Sequence, residues 1–130
     1  MSFKQYVHLR ENAHNEITGK FYGTLKKIRA YIEAAKAEKE GSSEDIMNLV
    51  LTIPQRLSDT YDTFAFESDK NMAYSWAMRT MGDIKEVISS PQYGKQWGAK
   101  LQKSELGIID NVTQAVWERK PKKYDSQTEV

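Results

Sequence analysis

The sequence predicts an all-α, single-domain, irregular bundle of four to six helices with a polar C-terminal tail. Three observations carry that expectation. Apolar residues recur at steps of three and four in every long segment, the spacing of one helix face. Alternation at period two is nowhere sustained beyond a few residues, so no sheet is expected. The chain of 130 residues is 39% hydrophobic, enough for one core, and no apolar run nears the roughly 18 residues of a membrane span.

The first segment, Phe3 to Glu40, reads as mainly helical. Phe21, Leu25, Ile28, Ile32 and Ala35 follow at steps of 4, 3, 4 and 3 and share one stripe. Ala13 and Ile17 extend it upstream, whereas Gly19 and Gly23 each weaken it by about 1 kcal/mol relative to Ala. A break or bend near Gly19 is expected, with Gly41 just past the helix end. Ser42 or Ser43 would cap the second helix, with Glu44 and Asp45 favourable at its N-terminus. Its stripe is Ile46, Leu49 or Val50, Ile53, Leu57, Tyr61 and Phe64. Pro54 interrupts that stripe and predicts two short helices or one bent one, with Thr52 capping the restart.

Glu67 to Asn71 reads as a turn, with Ser68 as the next cap. Ala73, Trp76 or Ala77, Met81, Ile84 and Ile88 then form a helical face ending at Ser89-Ser90-Pro91. The last helical region carries Trp97, Leu101, Ile108, Val112, Ala115 and Val116. Ser104-Glu105 would restart it and Gly107 would weaken it. The helical domain is assigned to residues 1–118 and a basic, polar tail to 119–130, which has no core face of its own.

The net charge is +1, yet it is unevenly spread. Residues 1–40 hold 8 basic and 5 acidic side chains, and residues 41–70 hold 2 basic and 6 acidic. The acidic segment implies either complementary packing inside the bundle or an acidic face turned outward. The absence of cysteine excludes disulfides, thiolate zinc sites and a cysteine nucleophile. Met1 to Tyr6 lacks the apolar core of a signal peptide, so the expected location is cytoplasmic. Proteins of this size and composition are common among phage and virus products, an origin that no residue here marks.

Motifs for chemistry are sparse. His8-x-x-Glu11-x-x-His14 places three ligand types on one helix side. Bundle di-metal sites need a second Glu-x-x-His, however, and no histidine remains to supply it. No metal or other cofactor is expected. There is no nucleophile elbow and no phosphate-binding glycine loop, so the protein is read as a non-enzyme. Gly19-Lys20-Phe21-Tyr22-Gly23 and Gly94-Lys95-Gln96-Trp97-Gly98 share the form G-K-x-aromatic-G, which is read as coincidence. Thr128-Glu129-Val130 has the form of a PDZ-domain ligand. Asn111-Val112-Thr113 is a formal glycosylation sequon.

Two binding readings remain. Lys20, Lys26, Lys27, Arg29, Lys36 and Lys39 with the tail cluster Arg119, Lys120, Lys122 and Lys123 offer phosphate contacts for nucleic acid. At 100° per residue they scatter around the first helix, and the pI of about 7.9 is below that of typical nucleic-acid binders. The preferred reading is a helical protein-interaction module, acting as adaptor, inhibitor, assembly subunit or self-associating protein. Several helices carry apolar residues outside their stripe: Tyr22 and Tyr31, Met47 and Leu51, Tyr74 and Met78. One small core cannot absorb all of them, so Tyr22, Tyr31, Tyr74 and Met78, with Trp97 at the edge, are expected to meet a partner.

Overall fold

The computed structural model describes residues 16–37, 43–122 and 124. The chain is all-helical, as its periodicity requires. Among the described residues the helices are α1 (Glu16–Lys36), α2 (Ser43–Tyr61), α3 (Glu67–Ile88), the short α4 (Pro91–Trp97) and α5 (Ala99–Trp117). The four long helices pack in the cyclic order α1, α2, α5, α3, with α2 and α3 also touching across the diagonal. Thr18 meets Thr63 at 2.9 Å, so α1 and α2 are antiparallel. Lys85 reaches Asp110 and Ser75 meets Tyr124, so α3 and α5 are antiparallel as well. Arg119 at the end of α5 binds Ser58 near the end of α2, and those two run parallel.

Several boundaries differ from the sequence expectation for identifiable reasons. No break occurs at Gly19, because α1 is held on either side by buried Thr18, Phe21 and Tyr22. Pro54 neither splits nor restarts α2. It removes one backbone bond, at a cost of about 3 kcal/mol. Val50, Ile53 and Leu57, all fully buried around it, offset this through burial of about 1.5–3 kcal/mol each. Thr52 caps nothing and donates its hydroxyl to the Leu49 carbonyl at 2.6 Å. The expected turn at Glu67 to Asn71 is already helix, and Phe66 occupies the cap position instead of Ser68.

The true break lies at Gly98, not at Ser104-Glu105. Gly98 has φ +95°, a conformation that other residues adopt only with strain. Ser90 caps α4 by accepting the Tyr93 N–H at 3.2 Å, with Pro91 following it. At Gly94 a β-carbon would lie 2.7 Å from Gln102 Oε1. The Gln102 amide donates to the carbonyls of Ile88 and Ser90, at 2.7 and 3.0 Å, and so ties α3, α4 and α5 together. Gly19 and Gly23 have open space beside them. The two G-K-x-aromatic-G stretches therefore share no structural role.

Packed structure continues past Trp117. Pro121 is buried, and the Tyr124 ring meets Tyr74 edge-on with centroids 4.9 Å apart. Ile17 and Leu101, expected on core stripes, are instead 45% and 38% exposed.

Candidate interaction surface

Three of the five residues expected to meet a partner are inside the core. Tyr22 is fully buried against Phe21, and Tyr31 and Tyr74 are 7% and 4% exposed. The buried residues of α1 run from Tyr22 on one side to Tyr31 on the other, about half the helix circumference at 100° per residue. A helix wedged between α2 and α3 buries a sector that wide, whereas a single stripe of apolar residues covers less. On α3 the five consecutive residues Ala73 to Ala77 are all buried, because this helix faces α1, α2, α5 and Tyr124 at once. Met78 and Trp97 are half-buried at the margin of the core.

Where α1, α3, α4 and α5 converge, a polar chain crosses the interior. The Tyr93 hydroxyl donates to Glu105 Oε1 at 2.7 Å and shares a 2.8 Å hydrogen bond with the Tyr31 hydroxyl. Glu105 is 2% exposed. Burial raises the pKa of both tyrosines above the ordinary value, and for Tyr93 its hydrogen bonds to Tyr31 and Glu105 raise it further. Beside Tyr93 lies a cleft of about 280 Å³ lined by Lys36, Glu86, Val87 and Ser90 among others. Its serine hydroxyl is engaged in capping, donating to the Val87 carbonyl while accepting from Tyr93.

The outward-facing apolar groups lie elsewhere. Phe66, at the N-cap of α3, is 69% exposed and borders neither groove beside α5; Leu51 and Trp117 are each 55% exposed. Trp117 borders a groove between α3 and α5, floored by Met78 and flanked by Asp110, Thr113 and Gln114. Leu51 and Leu101 border a groove of about 360 Å³ between α2 and α5, with Met47, Ile108 and Glu105 also lining it. Helix α5 is thus flanked by a groove on each side. Sequence reasoning had set Leu51 and Met78 outside their stripes. It missed both rim residues on α5: Leu101 lies on the core stripe yet is exposed, and Trp117 has only the polar Asp110, Thr113 and Gln114 at helical spacing before it.

Four of the six acidic residues of the second segment are turned outward, whereas Glu67 pairs with Lys70 and Asp69 is buried. Glu44, Asp45, Asp59 and Asp62 are all exposed, and none forms an ion pair with any described residue. The cations proposed for nucleic acid do not converge. Lys20 pairs with Glu16 and Lys36 with Glu33. Arg29 is drawn inward to Asp83 at 3.1 Å and over the Trp76 ring. Lys26, Lys27 and Lys122 are exposed, and Lys120 lies over Tyr124. Among the described residues no three His, Cys, Asp or Glu side chains are grouped to hold a metal, and no helix is long and apolar enough to cross a membrane. His8, Glu11, His14, Lys39, Gly41, Ser42, Lys123 and Thr128-Glu129-Val130 lie outside the described residues. No protein-family model, curated protein or solved structure matches this chain.

Proposed function

We propose that this protein is a non-enzymatic interaction module that receives a segment of a partner protein in the grooves flanking α5. The observation that carries this reading is the exposure of Leu51, Leu101 and Trp117 at the rims of those grooves. The adjoining apolar side chains are drawn into the core. Large side chains left at a groove rim are the usual anchors of helix-in-groove recognition. Fully covering a leucine contributes about 1.5–3 kcal/mol, so the half that remains exposed offers about 1 kcal/mol per residue. The contact surface therefore moves from the buried tyrosines Tyr22, Tyr31 and Tyr74 to these residues, with Met78 retained.

The test is co-purification from native lysate after nuclease treatment and a high-salt wash. Wild type is compared with Leu51→Ser/Leu101→Ser and Trp117→Ser. We expect a stoichiometric protein that one variant loses, with unfolding temperatures close to wild type. Nucleic acid as the only bound species, or a partner that both variants retain, would overturn the reading.

A further inference from the structure

We propose that the α2/α5 groove takes a cationic amphipathic helix of a partner protein. This rests on the interaction reading above and names the partner's chemistry. Along α2 and the residue just past its end, Glu44, Asn48, Leu51, Gln55, Asp59 and Asp62 follow at steps of 4, 3, 4, 4 and 3, and all are exposed. They form one stripe about 27 Å long at 1.5 Å per residue, the length of an 18-residue helix. An apolar centre, Leu51 beside Leu101, thus has carboxylates at either end.

No base of α2 neutralises that stripe. Arg56, its one cation, turns to α1, where it donates to the Thr24 hydroxyl and the Lys20 carbonyl. The last turn of α2 carries no basic residue, so the negative end of the helix dipole reinforces Asp59 and Asp62. On the α5 side, Lys100 and Lys103 are exposed near the N-terminal end but sit about 100° and 160° around the helix from Leu101. Past the other end of α5, Arg119 donates to Ser58 and to the Ala115 carbonyl, so one guanidinium stands near the two carboxylates Asp59 and Asp62 and that end keeps a net negative charge. The field along the groove therefore favours Lys or Arg on the incoming helix and repels a polyanion, while Leu51 and Leu101 favour apolar anchors on its other face. Nucleic acid and acidic helices are both disfavoured here.

The probe is a fluorescein-labelled, 18-residue Lys/Leu amphipathic peptide, titrated with the full chain and read by fluorescence anisotropy. A Glu/Leu peptide of the same pattern is the control. We expect micromolar binding of the Lys/Leu peptide and none of the control. Leu51→Ser/Leu101→Ser should weaken binding about tenfold. Asp59→Asn/Asp62→Asn should weaken it about threefold and flatten its salt dependence. Circular dichroism confirms that each variant is folded.

Three results would overturn the proposal. The first is no binding of the Lys/Leu peptide. The second is binding indifferent to Leu51→Ser/Leu101→Ser, which marks plain polycation attraction. The third is a dimer in sedimentation that those substitutions abolish, which makes a second copy the occupant. If the peptide fails while lysate capture still depends on Leu51 and Leu101, only the cationic partner falls. If capture is also indifferent to them and to Trp117, the interaction reading falls with it.

Discussion

Replacing Tyr93 with Phe removes one oxygen that serves two partners. Its hydroxyl donates to Glu105 Oε1 at 2.7 Å and is bonded to the Tyr31 hydroxyl at 2.8 Å. A hydrogen bond contributes about 1 kcal/mol net, and a buried partner left unsatisfied costs about 1–3 kcal/mol. Because Glu105 is only 2% exposed, water cannot replace the lost donor without opening the helix junction. Tyr93→Phe should therefore cost about 3 kcal/mol, or roughly 12 °C of melting temperature at about 4 °C per kcal/mol for a domain of this size. Tyr31→Phe leaves the Tyr93–Glu105 bond in place and should cost about 1 kcal/mol. Glu105→Gln keeps an acceptor for Tyr93 and should also cost less than Tyr93→Phe. Urea unfolding followed by far-UV circular dichroism measures all three. A Tyr31→Phe variant as unstable as Tyr93→Phe would refute the reasoning, since the central hydroxyl would then not be the shared one.

Gly82 and Gly107 sit inside α3 and α5 with nothing within 4 Å of an added β-carbon. Alanine at either position should stabilise by about 1 kcal/mol, and the pair should be close to additive in thermal melts. Gly94→Ala should do the opposite, because its β-carbon would meet Gln102 Oε1 at 2.7 Å. Alkaline stability offers a further test. Burial raises the pKa of Tyr31, Tyr61 and Tyr93 in the folded state. The unfolded tyrosines ionise first, near pH 10, so the folded state binds more protons above that pH and stability falls as pH rises. Each tyrosine that stays protonated in the fold contributes a slope of about 1.4 kcal/mol per pH unit. Stability measured by urea titration should hold to about pH 9 and then drop steeply; a flat profile to pH 11 would show that these hydroxyls are accessible to water.

Periodicity by itself determined that this chain is helical and which residues lead each buried face. Phe21, Leu25, Ile28 and Ile32 lie in the core as their spacing requires, as do Ile53, Leu57, Met81, Ile84, Ile88 and Val112. A stripe is a local property, set by 3.6 residues per turn, and it survives whatever the helix packs against. Width of burial is not local. Tyr22, Tyr31 and Tyr74 lie off their stripes and are buried because α1 has two long neighbours and α3 is enclosed on nearly every side. Leu101 lies on a stripe and is exposed because it stands at the rim of the groove between α2 and α5.

Helix stops divided the same way. Pro54 carries a strong local penalty, and burial on both sides of it overrides that penalty. Gly98 breaks the chain through a positive φ that no periodic pattern announces. Charge was legible in the sequence as two alternatives, internal pairing or an outward acidic face. Only the packing decided between them, by turning Arg56 toward α1 and leaving Glu44, Asp59 and Asp62 in solvent. Local spacing fixes what each helix can bury, and the number and direction of its neighbours fix what it does bury.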